Sequence, residues 1–325
     1  MAVCRQHNMV HRCSIALIAL LICLCSGFLF MNNARANQEV IAVIYPDIPR
    51  FKDIFTKIIS GIQQGSTHKI MPYTLSDDFS PDDFRSWARA LHVKVVIAIG
   101  NSGMSAADSV KGKIPIISNA FLVPDLKDDN VVGISLAVDP NVLVGTLSAV
   151  APEVKRISVV YNPEISGWLI DIAKSAAKEH GLKLIAYEAD DIRSATRLYA
   201  KILEQSKPTQ DAIWLPQDRT TVNDEIILPM ILKGAWNHSL VFFSSIGSHA
   251  KNGALFSLYP DYAGLGGSLA MMADKYIDST SSIHMGIQPL EDLQYAVNIR
   301  TADHLNLDID KSGIKFDLVF PTPKD

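Results

Sequence analysis

The chain has 325 residues, 48% hydrophobic and 20% charged; at about 150 residues per domain this predicts roughly two compact units and excludes a disordered or collagen-like chain. Its 30 Lys and Arg against 34 Asp and Glu give a formal net charge of -4, with basic residues in isolated pairs such as Lys155-Arg156. A nucleic-acid binder needs a clustered cationic footprint, so nucleic acid is not expected as a partner.

The apolar excess is concentrated at the start. Residues 14–31 form an almost unbroken hydrophobic run, preceded by Arg5 and Arg12 and followed by Ala34-Arg35-Ala36. A positive end, an apolar stretch and a small-x-small site form the layout of a secretory signal, with cleavage expected after Ala36. The alternative is an uncleaved membrane anchor, since 18 residues lie at the lower limit for spanning a bilayer; Ser26 and Gly27 interrupt the run and favour cleavage. The leader holds three arginines and no acid, so the remaining 289 residues carry 27 basic and 34 acidic groups. All four cysteines, Cys4, Cys13, Cys23 and Cys25, also lie in it. Leu24 and Ile22 precede the last two, where an acylation site would need a small residue. Disulfides, zinc-thiolate sites and a cysteine nucleophile are excluded beyond residue 36. A thiol-free exported body of this size suits an oxidising compartment, and the bacterial periplasm is the expected location.

Beyond the leader, short β-rich runs alternate with helical ones. A strand at 40–45 precedes a helix over 50–64, where Phe51, Ile54, Phe55, Ile58, Ile59 and Ile62 recur at helical spacing. Strands follow at 69–75, 95–100, 114–119 and 131–136, with a helix opened by Ser80-Pro81-Asp82-Asp83, a cap, an N1 proline and an acidic first turn. A second round starts with a helix over 139–151 behind Asp139-Pro140. It continues with strands at 156–162, 183–188, 211–216 and 239–245 and helices at 166–180, 193–206 and 222–237. A strand at 254–259, a helix over 261–278 and a strand at 293–299 exceed what one lobe needs. The order predicts an α/β fold of two doubly wound parallel-sheet lobes joined by a multi-strand hinge. The expected division is 37–136 with 258–288 as lobe 1 and 137–257 with 289–325 as lobe 2.

In such sheets ligands bind beyond the carboxyl ends of the strands. Tyr45-Pro46-Asp47 ends the first strand, with Tyr45 a candidate contact. Gly100-Asn101-Ser102-Gly103 leads into a helix whose free N–H groups suit a carboxylate or phosphate, or are merely capped by Asn101 or Ser102. It is not a hydrolase elbow, because Met104 stands where G-x-S-x-G needs glycine. In the second half, Tyr161 to Trp168 offers a turn with proline, a helix expected to be capped by Ser166, and Trp168 for packing or stacking. Leu215-Pro216-Gln217-Asp218-Arg219 ends an apolar strand with a carboxylate suited to a ligand cation, or to pairing with Arg219 or capping. Asp218 and the helix start at Asn101-Ser102 would then offer opposite polarity to a zwitterion. Other strand ends carry Asn119, Ser244-Ser245 and Tyr259 to Tyr262, without a catalytic constellation. The histidines, His238, His249 and His284 among them, lack metal spacing, and no phosphate-binding or dinucleotide glycine motif is present. Neither metal nor cofactor is expected. Gly264-Leu265-Gly266-Gly267 falls in a predicted helix and reads as close helix packing.

The segments 95–107 (VVIAIGNSGMSAA), 114–116, 130–134, 155–164 (KRISVVYNPE), 211–218 (DAIWLPQD), 252–254, 259–264 and 296–299, in this order and spacing, resemble the ABC transporter substrate-binding proteins that include tryptophan and tyrosine binders. The resemblance implies a type I periplasmic binding fold with a three-strand hinge and one ligand in the cleft. Carried over by position, the cleft would be lined by Asn101, Ser102, Asn162, Glu164, Ser166, Asp218 and Ser245. The family's D-P pair after the fourth strand is missing: this chain reads Asn119-Ala120-Phe121-Leu122-Val123-Pro124, then Asp125. The expected activity is closure around a small, amino-acid-like ligand, without catalysis, and presentation by a monomer to an inner-membrane ABC permease. Alternatives are a sensor docking on a periplasmic receptor domain and an exported α/β hydrolase with carboxylates among Asp47, Asp218 and Asp261.

Overall fold

The computed structural model describes residues 38–76, 78–119, 132–278 and 286–322. The expected leader and cleavage site, Ala120 to Asp125, Val131 and His284 lie outside them.

The first five strands are β1 (Val40–Pro46), β2 (Lys69–Leu75), β3 (Val93–Ile99), β4 (Ile116–Asn119) and β5 (Val132–Val138). Helices α1 (Lys52–Gly65), α2 (Pro81–Ala90) and α3 (Gly100–Ala107) connect the first four. The chain then builds a second unit from α4 (Pro140–Val150), β6 (Arg156–Tyr161), α5 (Pro163–Glu179), β7 (Lys183–Glu188), α6 (Ile192–Gln205), β8 (Asp211–Leu215), α7 (Ile227–Asn237), β9 (Val241–Ser244), α8 (Ser248–Asn252) and β10 (Phe256–Pro260). It returns to the first unit with α9 (Tyr262–Asp278) and β11 (Ile287–Leu290), then ends in the second with β12 (Leu293–Asn298), α10 (Ile299–His304) and β13 (Leu318–Phe320). The sheets have the orders β11-β5-β4-β3-β1-β2 and β13-β12-β10-β9-β8-β6-β7. The β10–β12 pair is antiparallel and the other described pairs are parallel. This is a two-lobe α/β fold, each lobe doubly wound, with strand order reversing between β1 and β3 and between β6 and β8.

The central strands are buried on both faces, as parallel sheets require. In β1, Ile41 and Val43 face α1 and α9, while Ala42 and Ile44 pack with Phe84 and Ala88 of α2. In the second lobe Ile157, Val159 and Trp214 belong to the core beneath α4 and α5, and Val160, Ile213 and Leu215 to the one containing Tyr199 and Ile231. Ser80 and Asp139 cap α2 and α4 as expected, accepting hydrogen bonds from the N–H of Asp83 and Asn141.

Helices α1 and α9 approach through glycine. A Cβ on Gly61 would lie 2.1 Å from the Ala263 carbonyl oxygen, and one on Gly266 2.1 Å from that of Ile58. Of the glycines at 264, 266 and 267 it is thus Gly266 that the approach to α1 requires, and it lets the late helix dock on the first lobe from far along the chain.

Several element limits differ from expectation. Helix α5 starts at Pro163, three residues before Ser166, because Asn162 is its cap: its Oδ1 accepts the Glu164 N–H at 2.9 Å. Ser166 sits buried inside the helix. Helix α7 starts at Ile227 rather than near 222, since Asn223 Oδ1 accepts the N–H of Ile226 and Ile227 at 2.9 and 3.1 Å and holds the preceding residues in turns. Strands β11 and β13 were not expected; both are edge strands, and β11 contains Pro289, a residue that edges tolerate.

Candidate functional site

Three segments join the lobes, between β5 and α4, β10 and α9, and β11 and β12. They are tied to one another: the Asp139 N–H donates to the Leu290 carbonyl at 2.9 Å, and the Asp261 N–H to that of Asp292 at 2.8 Å. The first two leave from the carboxyl ends of β5 and β10, so the carboxyl ends of both sheets border the crossings. The two switch points are where polar side chains and helix starts gather.

In lobe 1, β3 gives way to Gly100, the first residue of α3, whose φ of +73° is a conformation that favours glycine. Gly103 lies tight against β1, where a Cβ would approach the Ile44 carbonyl oxygen to 2.9 Å. The residue preceding α3 is Ile99, and no side chain among the described residues caps the helix. Asn101 and Ser102 are exposed within the first turn, so neither is the cap considered above. Free N–H groups carry the positive end of the helix dipole and favour an anion. Tyr45 lies nearby at the end of β1, half-buried, its ring 5.9 Å from that of Phe55 and its hydroxyl accepting from Thr74 Oγ1 at 2.8 Å. Asn119 is fully buried at the end of β4 and donates through Nδ2 to the Ile134 carbonyl at 2.8 Å.

In lobe 2 the switch point is held by Asp218. Its Oδ2 accepts the Asn162 N–H at 2.7 Å, and its Oδ1 accepts the Thr220 N–H at 2.9 Å and the Thr220 hydroxyl at 2.6 Å. The residue is 1% exposed. Its carboxylate faces inward, bonded to two loops, instead of pointing into the cleft, and no ion pair with Arg219 is found among the described residues. Burial pushes the Tyr199 hydroxyl pKa well up, and the negative charge of Asp218 adds to that rise. Asn162 is likewise committed, its N–H to Asp218 and its side chain to the α5 cap, while Glu164 is exposed.

Ser166 and Ser245 come together beside the hinge. With Trp214, Gln217 and the strand-end residues Ala137 and Val138 they line a cavity of about 10 Å³, close to the least that holds one water. Ser245 Oγ accepts from Trp214 Nε1 at 2.9 Å. Gln217 is exposed there, whereas the sequence reading chose its neighbour Asp218. No local signal separates the two: the side chain that turns under the loop is the one that meets the Asn162 N–H, 56 positions away in the chain.

One arrangement has the composition of a hydrolase triad. Ser244 Oγ lies 2.9 Å from His249 Nδ1, and His249 Nε2 lies 3.1 Å from Asp224 Oδ1. Ser244 and His249 are both 0% exposed. The serine oxygen also donates to the Leu215 carbonyl or to the histidine and accepts the Ile246 N–H. A nucleophile needs access to a carbonyl carbon, which this serine lacks. The trio fastens the loop after β9. Burial pulls the His249 pKa below its ordinary value, partly offset by Asp224. Among the described residues, no group of three or more His, Cys, Asp or Glu is placed to hold a metal ion, and no helix is long and apolar enough to cross a membrane.

Solved structures share this architecture. A substrate-binding protein with adhesive properties from Clostridium difficile, in its ligand-free open form, matches with a TM-score of 0.57 at 20% identity over 84% of this chain and 96% of that one. An ABC domain in complex with L-Trp from Streptococcus pneumonia matches with a TM-score of 0.50 at 17% identity, over 88% and 100%. A conserved domain protein from Vibrio cholerae gives 0.50 at 21%, over 87% and 99%. At these identities the likeness establishes the fold, that of type I periplasmic binding proteins. No curated protein matches the sequence significantly. The sequence profile of the ABC transporter substrate binding proteins matches residues 86–315, which include β3 with the start of α3, the lobe 2 switch point and all three crossings. The chain therefore belongs to the ABC transporter substrate-binding protein family, whose members bind substrates without catalysing a reaction.

Proposed function

We propose that the protein is exported, loses its leader after Ala36, and closes its two lobes in the periplasm around a small amino-acid-like ligand, which it presents to an inner-membrane ABC permease. The observation that carries the reading is the pair of switch points bordering one three-segment hinge, one with a free helix N-terminus and the other with a built polar surface. The carboxylate of the ligand is taken by the start of α3, with Asn101 and Ser102 and with Tyr45 beside it. From lobe 2 come Glu164, Ser166, Gln217 and Ser245, with Asn162 at the helix start. Asp218 acts as a positioning residue behind them, fixing the Asn162 and Thr220 backbones. This replaces direct contact between Asp218 and the ligand cation; that role passes to Glu164, the exposed acid of the same loop. The L-Trp held by the Streptococcus structure supports an amino acid as the ligand class. Closure follows from contacts made to both lobes at once, which only the closed form offers.

The test is mass spectrometry of small molecules released by denaturing protein purified natively from the periplasm, followed by thermal melts with the compound found. The expected result is one unchanged amino-acid-like solute that raises the melting temperature. A ligand at a hundred times its Kd adds about 2.7 kcal/mol of stability. Conversion of the compound, or a protein that stays with the membrane with its leader intact, overturns the reading.

A further inference from the structure

At the end of lobe 2 remote from the hinge, where β9 and β10 begin and the antiparallel β12 ends, lies a cavity of about 450 Å³. That volume falls within the range of small-molecule sites. Leu240, Phe242 and Leu305, all buried, form an apolar floor. One wall is closed by Gly253, whose φ is +125° and whose Cβ, if present, would come within 2.7 Å of Leu232 Cδ2. A larger residue there would be strained and would displace the leucine.

The rim is cationic. Lys233, Lys251 and Arg300 line the cavity and are exposed, and among the described residues they take part in no ion pair and no Asp or Glu lines the cavity. On a chain with more acids than bases, three unpaired cations around one apolar hollow make a local positive potential that a low-dielectric wall focuses inward. Trp236 stands at the edge, 47% exposed, its ring stacked on His304 with centroids 3.7 Å apart and planes at 7°. The two are locked by a 2.9 Å hydrogen bond in which His304 Nε2 donates to the Trp236 carbonyl. An exposed tryptophan held rigid offers a flat apolar face at little entropic cost.

We propose that this cavity is a second ligand site, separate from the interlobe cleft, for an organic anion with a flat apolar body. The body lies on Phe242 and Leu305 beside Trp236, and the anionic group, a carboxylate, sulfonate or phosphate, is met by Lys251 and Arg300. The site belongs to lobe 2 alone, so occupancy does not depend on closure.

The probe is anilinonaphthalene sulfonate, titrated into the intact protein and followed by its own emission and by energy transfer from tryptophan. Saturable binding is expected, weakened about tenfold or more by Lys251→Glu combined with Arg300→Glu. Lys57→Glu, a charge reversal of the same kind on lobe 1, should leave the titration unchanged. Trp236→Phe should reduce energy transfer to the bound dye. Should the double variant fail to fold, Arg300→Gln, which removes the charge and keeps most of the bulk, is read the same way. Wild-type affinity in the folded charge variants, equal weakening by Lys57→Glu, or binding that never saturates overturns the proposal.

Discussion

The two switch points are built to the same plan and finished differently. In lobe 2 the helix after β6 is capped by Asn162, and a buried carboxylate ties that cap to the loop after β8. In lobe 1 the helix after β3 has no side-chain cap among the described residues and begins on a glycine with positive φ. A capped start has already satisfied some of its N–H groups, whereas an uncapped one keeps them for water or for a ligand. The difference teaches that stability and recognition are divided between the lobes: lobe 2 presents a surface set before the ligand arrives, and lobe 1 presents donors that the ligand satisfies.

The largest expected effect would break the frame that carries the comparison. Gly266→Leu places side-chain atoms where the Ile58 carbonyl already lies within 2.1 Å of the Cβ position, and should cost about 3 kcal/mol or more. Urea unfolding should report the loss, and limited proteolysis should find the new cuts in lobe 1.

Next comes Asp218→Ala, which leaves the Asn162 and Thr220 N–H groups without their acceptor and should cost about 2 to 4 kcal/mol. If Asp218 positions the loop, the ligand-free protein loses melting temperature; a residue acting only on the ligand would lower affinity and leave that temperature alone. Asn162→Ala removes one cap and should cost about 1 kcal/mol, again visible without ligand by thermal melting.

Acidification probes the loop after β9. Since burial lowers the His249 pKa in the folded state, its contribution is complete above the ordinary value of 6.5 and is lost as pH falls from there toward the folded pKa. Melting temperatures measured from about pH 8 to about pH 5 should fall more steeply for the wild type than for His249→Gln, and parallel profiles would refute this. The smallest stability effect sharpens the comparison most: Asn101→Ala should leave the ligand-free melt within about 0.5 kcal/mol of wild type yet weaken binding of the cleft ligand by calorimetry. Equal effects of Asn101→Ala and Asn162→Ala on the ligand-free melt would remove the asymmetry between the lobes.

The alternation of strands and helices was legible because both periodicities report burial directly: β1, β3 and β8 are apolar on two faces, and α1 repeats its apolar residues every three or four positions. Caps at Ser80 and Asp139 were legible because each sets a competent side-chain acceptor before a proline, whose missing N–H suits the first helical position, ahead of a helical run. The α5 cap was displaced because Asn162 and Ser166 are both competent acceptors, and the choice fell to Asn162 once Asp218 held its backbone. Strands β11 and β13 carry little signal of their own, being short edge strands that exist because a neighbouring strand supplies hydrogen-bond partners.

The sequence alone determined the α/β class, the surplus of elements that forces repeated crossings, the thiol-free body and the loops in which polar side chains meet strand ends. Each follows from composition or local period, which a chain carries wherever it folds. Only the tertiary structure decided which way those side chains turn: that Asp218 is buried and Gln217 exposed, that Ser244 and His249 form a closed network rather than a nucleophile, and that Lys233, Lys251 and Arg300, from three separate elements, surround one apolar hollow. Orientation and convergence depend on contacts between residues tens of positions apart, and no local pattern encodes them.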